Sequence, residues 1–151
     1  RITSEAPGVI GVKQSAGDLK LLADLLMAVG DRSVVMSAVD ALLYPSFALG
    51  AHGAIAAILA AVPELCVALW DDVQADHHAQ ALDLHRRLLR IWNAMQGDNL
   101  PANVKTALAL QGRPAGLPRS PMAPSSDEQR AAIREALVQA GIAVVRSGQP
   151  I

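Results

Sequence analysis

One lysine of this 151-residue chain stands where a protein can use an amine for covalent chemistry. Lys13 ends the apolar run 9–12 and is followed at once by the turn-forming stretch 14–18. A strand that ends in a pocket partly desolvates such an amine, which lowers the pKa of its ammonium form and leaves a nucleophile. Because a neutral amine condenses with a ketone to form an imine, Lys13 is the candidate catalytic residue.

An imine-forming lysine needs apolar surroundings. The unperturbed pKa of a lysine is near 10.4, so only about one amine in a few thousand is neutral at pH 7. Val35 and Ile55 lie in the two apolar runs that follow, and we expect both to line the pocket from neighbouring strands. The walls of the pocket therefore matter as much as the lysine.

The elements that would position Lys13 alternate between short β-branched runs and longer leucine-rich segments. This alternation is typical of βα units that feed a parallel sheet. Strands are predicted over 8–13, 33–37 and 53–58. Asp18 is the predicted N-cap of the helix after the first strand, and Gly30 ends that helix.

Beyond residue 62 the pattern becomes purely helical. Helices are predicted over 63–74 and 76–96 and from Pro101 to a stop at Gly112, followed by a proline-rich extended crossing over 113–124. Two overlapping capping boxes are available to a last helix that ends at Gly141: Ser125 with Glu128, and Ser126 with Gln129.

Composition and charge exclude several classes of protein. A net charge of -1 and only 3% aromatic residues argue against a phosphate-binding stripe or a base-stacking surface, so no nucleic-acid partner is expected. The most apolar stretch, 54–70, is interrupted by Pro63 and Glu64, so it falls short of the roughly 20 apolar residues of a membrane span. Cys66 is the only cysteine, so no internal disulfide is expected, and a reducing, cytoplasmic location follows.

Three parallel strands cannot close a barrel, and an isolated sheet of this kind leaves both edges unpaired. A (β/α)₈ barrel takes about 250 residues and carries its catalytic groups at the C-terminal ends of its strands, which is where Lys13 lies. The chain also opens on Arg1 rather than on methionine, as an internal segment does. The sequence therefore predicts an α/β fold, the C-terminal portion of a TIM (β/α)₈ barrel followed by extra C-terminal helices. In this prediction 1–62 forms the last three βα units, 63–145 the final barrel helix and the C-terminal helical region, and 146–151 a loose tail.

Several short motifs carry a resemblance to a known family through their order and spacing. They are Gly11-Val12-Lys13 with Gly17-Asp18, the segments 50–55 and 99–105, Leu110-Gln111-Gly112, and Arg119-Ser120-Pro121. Over nearly its whole length the chain resembles the pyruvate-dependent class I aldolases, which include dihydrodipicolinate synthase and N-acetylneuraminate lyase. In this resemblance Lys13 looks like the Schiff-base lysine of the sixth strand, and 50–55 looks like the entry to the eighth strand, so strands 6–8 are implied.

The resemblance implies a lyase or synthase in which Lys13 condenses with pyruvate or another 2-keto acid. The imine then serves as an electron sink for making or breaking a carbon–carbon bond with an aldehyde. No cofactor is expected, a homotetramer is implied, and the fragment alone is expected to be inactive. Two alternatives stay open: a sugar-acid dehydratase that uses the same lysine imine, and a non-catalytic barrel homologue or fragment that serves as an assembly unit.

Four further residues are candidates for substrate binding in this resemblance: Ser37, Ala38, Asp40 and Ile55. The first three lie at the top of the second predicted strand, where related enzymes contact the substrate tail. The main chain near Ile55 faces the substrate site in the family, whereas Asp40 has an alternative role as a helix cap. Ala38 stands where many relatives have glycine, and Val39 and Ala41 replace polar residues, which argues against a sialic-acid substrate. Gln14 stands where a glutamate is frequent.

Other reactive side chains have plainer interpretations. His77, His78 and His85 lack the i, i+4 spacing that puts two ligands on one helix face, so no metal site is predicted. Tyr44 lies between Leu43 and a proline, which favours packing over acid–base chemistry. Cys66 is expected to be a small buried apolar residue.

Overall fold

A computed structural model describes residues 2–145 of the chain, the side chain of Ser4 excepted. The predicted loose tail, 146–151, lies outside the described residues. The described chain forms two compact units. The first comprises residues 2–56 and Val67–His85, and the second comprises Ala57–Cys66 and residues 86–145. The boundaries predicted at residues 62 and 145 stay predictions.

The described chain contains three short strands and a series of helices. The strands are β1 (Gly11–Gln14), β2 (Val34–Ser37) and β3 (Gly53–Ala54). The α-helices are α1 (Ile2–Glu5), α2 (Leu19–Val29), α3 (Leu43–Ala48), α4 (Ile58–Ala61), α5 (Pro63–Gln74), α6 (His78–Met95), α7 (Leu100–Leu110) and α8 (Asp127–Gln139). Two 3₁₀ turns flank β2, at Gly30–Arg32 and Asp40–Leu42. None of the helices in residues 2–145 is both long and apolar enough to cross a membrane.

The three strands form one parallel sheet in the order β1-β2-β3. Lys13 pairs in register with Met36, and Met36 pairs with Gly53. Gln14 pairs with Ser37 in the next row. This arrangement confirms the predicted α/β class, since each strand is followed by helix and the strands run the same way.

The helix after β1 begins and ends where the sequence predicts. The Asp18 side chain accepts hydrogen bonds from the backbone N–H groups of Lys20 at 2.8 Å and Leu21 at 3.3 Å. Gly30 follows α2 with a φ of 51°, a conformation that glycine adopts without steric cost. Leu22 and Val29 of α2 are buried with Val35, and each such side chain contributes roughly 1.5–3 kcal/mol by leaving water.

The strands are shorter than predicted, and the third differs most. Pairing with β2 ends where the N–H of Ile55 donates to the carbonyl of Ser37 at 2.8 Å. Ile58, predicted inside the strand, instead begins α4, because the alanine-rich run 56–61 has a high helix propensity and no further strand partner in the sheet. The first strand begins at Gly11 rather than at residue 8.

A buried polar residue links several segments of the second unit. Asn103 is fully buried, and its Nδ2 donates to the Met95 carbonyl at 2.8 Å. The Ser125 hydroxyl donates to the Asn103 Oδ1 at 2.6 Å. Ser125 therefore does not cap α8, and the capping box is the one formed by Ser126 and Gln129. The other predicted pairing, Ser125 with Glu128, is wrong because the Ser125 hydroxyl is used inside the unit.

Candidate active site on the open face of the sheet

The two faces of the sheet differ sharply in burial. Successive residues of a strand point to opposite faces, so the register assigns each side chain to one of them. One face is buried against helices of the first unit and contains Gln14, Val35 and Ser37, which are at most 8% exposed. The other, which we call the open face, carries Gly11, Lys13, Val34, Met36, Gly53 and Ile55. Val34 and Ile55 are 41% and 52% exposed, so this face lacks a covering layer within residues 2–145.

Among the six described residues of the open face, Lys13 is the only one with a charged side chain. It lies in the C-terminal half of β1, and its side chain is exposed. Its cross-strand neighbour is Met36, in a row that continues to Gly53. The amine thus rises from an otherwise apolar surface, which is the setting in which a lysine can serve as a nucleophile once that surface is enclosed.

Two glycines of the open face lie close to atoms of β2. A Cβ atom on Gly11 would come within 2.8 Å of the Val34 carbonyl oxygen, so no larger residue fits there without a shift of the backbone. A Cβ atom on Gly53 would lie 3.0 Å from the Met36 Cε, which shows that the thioether side chain lies across this glycine. The space above the row is consequently limited by Met36 rather than by backbone.

Ile55 and Ala38 share the side of the sheet on which Lys13 lies. Ile55 stands two residues after Gly53, and its backbone N–H bonds to Ser37, so the strand alternation places it on the open face. The N–H of Ala38 donates to the Gln14 carbonyl at 2.9 Å, which continues the pairing one residue past β2. Ala38 therefore follows the alternation of Val34 and Met36.

Other predicted residues lie elsewhere. The Ser37 side chain is 2% exposed and lies on the buried face, where its hydroxyl donates to the Ser46 hydroxyl at 3.0 Å. Asp40 begins the 3₁₀ turn after β2 and is 8% exposed. Val39, not Asp40, occupies the N-cap position of that turn, and no side chain caps it. Only Ile55 and Ala38 of the four candidates are thus brought to the Lys13 side of the sheet.

The expectation that Val35 lines the lysine pocket is wrong. Val35 is fully buried among Leu22 and Val29 on the opposite face. It pairs with Val12 rather than with Lys13, so alternation turns it toward the helices. Met36 takes the place that was predicted for Val35. The alternation within β2 makes Val34 and Met36 one set and Val35 the other, but only the register with β1 says which set joins the lysine.

Gln14, the residue after the lysine, also faces the helices. Its Oε1 accepts a hydrogen bond from the Ala16 backbone N–H, whereas its buried Nε2 has no hydrogen-bond partner within the described residues. Its side chain is 8% exposed. The Gln14 side chain therefore bonds to the turn after β1, and its amide does not lie beside the Lys13 amine.

His78 and His85 form a separate cluster with Tyr44 in the first unit. The Tyr44 hydroxyl lies 3.4 Å from the His78 Nδ1, and its ring centroid lies 5.9 Å from that of His85. Burial lowers the pKa of His85. Within the described residues no three His, Cys, Asp or Glu side chains converge as metal ligands would. Tyr44 packs against histidines on α6, and Cys66 is buried as predicted.

Comparison with known proteins identifies relatives along almost the entire chain. The model of the dihydrodipicolinate synthetase family matches residues 1–140. A 4-hydroxy-tetrahydrodipicolinate synthase from Symbiobacterium thermophilum is 35% identical over 142 residues, which cover 94% of this chain and 48% of that protein. A DapA-like lyase from Pyrobaculum arsenaticum is 31% identical over 150 residues, which cover 93% of this chain and 50% of that protein.

Solved structures show the same fold. Dihydrodipicolinate synthase from Aquifex aeolicus superposes with a TM-score of 0.86 at 23% identity, over 96% of this chain and 50% of that one. N-acetylneuraminate lyase from Fusobacterium nucleatum, solved with pyruvate, gives a TM-score of 0.80 at 25% identity, over 90% of this chain and 46% of that one. The chain thus spans about half the length of the relatives it matches. Since the family model covers far more than half of these residues, the chain belongs to the dihydrodipicolinate synthetase family.

Proposed function

We propose that the protein carrying this chain is a Schiff-base-forming lyase or synthase, and that Lys13 forms the imine with pyruvate or another 2-keto acid. The observation that carries the proposal is the position of Lys13. It is the one charged side chain among the six described residues of the open face, near the C-terminal end of a parallel strand, in a chain of the dihydrodipicolinate synthetase family. Active sites of (β/α)₈ enzymes lie at these strand ends.

In the proposed reaction the neutral amine of Lys13 adds to the C2 carbonyl carbon of the keto acid, and loss of water leaves a protonated imine. This cation accepts the electron pair released when a proton leaves C3 or when the bond between C3 and C4 breaks, which gives an enamine. In the synthetic direction the enamine carbon adds to the carbonyl carbon of an aldehyde. Hydrolysis of the resulting imine releases the product and restores the amine.

We infer that β1, β2 and β3 correspond to strands 6–8 of a closed barrel whose remaining strands cover the open face. Support comes from the 46% to 50% of each compared relative's length that the chain spans, and from the exposure of Val34 and Ile55. In a closed barrel the open face becomes the interior, and Met36 and Ile55 then form apolar walls beside the amine. The homotetramer implied by the family resemblance is part of the same proposal.

The proposed substrate contacts differ from residue to residue. Ile55 offers a side chain that is 52% exposed on the lysine side, and Ala38 offers a small side chain at the strand end. Ser37 is left with its main chain for any substrate contact, because its hydroxyl is buried against Ser46. Asp40 retains the proposed role toward the substrate tail only if its buried carboxylate is reached from the barrel interior.

The test is reductive trapping in the full-length protein that carries this chain. Incubation with pyruvate and borohydride should reduce the imine and add the mass of pyruvate, less water and plus two hydrogens, to a peptide that contains Lys13. The variant Lys13→Arg should lose the adduct, whereas Lys20→Arg, which alters an exposed lysine on α2, should retain it. An unmodified Lys13 in folded full-length protein would contradict the mechanism and favour the non-catalytic alternative.

A sugar-acid dehydratase would pass the same trapping test, because dehydration begins from the same imine. The two enzymatic alternatives differ in their products. Cleavage or condensation changes the number of carbon atoms, whereas dehydration removes only water. Product analysis by mass spectrometry after incubation with pyruvate plus an aldehyde, and separately with a sugar acid, therefore distinguishes them.

A further inference from the structure

The second unit contains a cavity that is not part of the Lys13 site. Its volume is about 350 Å³, within the range of roughly 300–1,000 Å³ that small-molecule sites occupy. Three segments form its walls: one side of α7, the proline-rich stretch over 113–124, and the first turn of α8. All of the described lining residues belong to the second unit.

The charge of this cavity has one sign. Lys105 of α7 and Arg130 of α8 are its only charged lining residues among those the structure describes, and both are cationic. The other lining residues are alanine, glycine, proline, leucine, threonine and serine. A concave site with two cations and no acidic wall attracts an anion, and its low-polarity walls strengthen that attraction.

Lys105 is held in place at the edge of the cavity. Its Nζ donates to the Ala115 carbonyl at 3.0 Å and to the Leu117 carbonyl at 2.8 Å. These bonds fix the proline-rich segment against α7. Because an ammonium group carries three N–H donors, one donor of Lys105 is left for a ligand.

Arg130 supplies the second cationic group. It is half-buried, and its side chain has no hydrogen bond or ion pair with another residue of the range 2–145. A guanidinium group is planar, and its paired N–H donors match the two oxygens of a carboxylate. An unpaired, half-buried guanidinium beside a cavity is therefore a group that a carboxylate ligand would satisfy.

The remaining walls are suited to a hydrocarbon body. Leu117 is 80% exposed, and Pro114, Pro118 and Pro124 also line the cavity. The two hydroxyls there are already bonded to each other, since the Thr106 Oγ1 lies 2.8 Å from the Ser125 Oγ. We propose that the cavity binds a small organic carboxylate, with its carboxylate on Arg130 and Lys105 and its apolar body against the proline and leucine wall.

Calorimetric titration of the full-length protein that carries this chain tests the proposal, with hexanoate as the probe. Hexanamide serves as the neutral analogue of the same length, and inorganic phosphate serves as the anion without an apolar body. We expect saturable binding of hexanoate and at least about tenfold weaker binding of both other probes. Hexanamide loses the charge-assisted hydrogen bonds to the two cations, whereas phosphate has no apolar chain to bury against the wall. Equal binding of hexanamide or of phosphate would overturn the proposal.

Variants locate the binding. Arg130→Gln should weaken hexanoate binding about tenfold, whereas Arg119→Gln removes the same charge from an exposed residue outside the cavity and should leave binding unchanged. Leu117→Ser alters an exposed wall residue without touching the core and should weaken hexanoate binding by about threefold or more. Thermal unfolding confirms that each variant is folded. Wild-type affinity in folded Arg130→Gln, or in folded Leu117→Ser, would overturn the assignment.

Discussion

At the scale of single residues, the chemistry of this protein depends on one row across the sheet. Lys13, Met36 and Gly53 stand side by side, and the Met36 side chain lies across the Cα of the glycine. Ser37, one residue from that row, belongs to a different environment. Its hydroxyl is buried against Ser46 and contributes to packing rather than to the lysine side of the sheet.

We therefore expect Ser37→Ala to destabilise the protein without removing the imine. The change leaves the buried Ser46 hydroxyl without its partner, which costs about 1–2 kcal/mol in the free energy of unfolding. Denaturant unfolding measures that loss, and pyruvate trapping with borohydride measures the imine. Ser15→Ala, at an exposed position, is the control and should change neither quantity. Loss of the adduct at Lys13 in a stable Ser37→Ala protein would instead support a substrate role for this serine.

At the scale of elements, α6 contributes His85 to the first unit, and burial of this histidine opposes its protonation. The rings of His85 and His78 both contact the ring of Tyr44 on α3. Burial lowers the pKa of His85 from its ordinary value of 6.5, and its buried Nδ1 has no hydrogen-bond partner within the described residues. The packing of α6 on this side therefore favours the neutral ring.

The sign of the resulting pH dependence follows from linkage. The unfolded chain takes up a proton at His85 as the pH falls through about 6.5, before the folded protein does, so acid favours unfolding. We expect His85→Gln to reduce the loss of stability between about pH 7 and pH 5, as measured by the urea midpoint at each pH. His77→Gln, which replaces an exposed histidine, should not reduce this loss of stability. An unchanged slope in His85→Gln would contradict the role assigned to burial.

At the scale of the whole molecule, the proposed mechanism needs an enclosed amine, whereas the Lys13 side chain is exposed in this chain. The chain spans about half of its relatives, and the open face of its sheet has no covering layer in the residues described. Enclosure by apolar walls raises the neutral fraction of an amine and excludes water from an imine. The proposed enzyme therefore requires a closed barrel, whereas the described lining of the proposed carboxylate cavity lies within the second unit.

This difference leads to a prediction about the 151-residue chain by itself. We expect the isolated chain to form at least about tenfold less pyruvate adduct at Lys13 than the full-length protein, because the amine is not enclosed. Adduct yield per mole, read from intact mass after borohydride treatment, makes the comparison. Circular dichroism shows whether the isolated chain is folded. An equal yield from both proteins would show that enclosure is unnecessary for imine formation.

The sequence by itself determined the features that depend on neighbours along the chain. The Asp18 cap, the Gly30 stop, the helix over Pro63–Gln74 and the motif around Lys13 are local patterns, and local hydrogen bonding realises them. The sequence also contains two possible capping boxes. Only the tertiary structure shows that Ser126 forms the box, because the Ser125 hydroxyl donates to Asn103 instead. Likewise, strand alternation separated Val35 from Met36, but the register between β1 and β2 decided which one joined Lys13. Register is set by packing between distant segments, so no local pattern contains it.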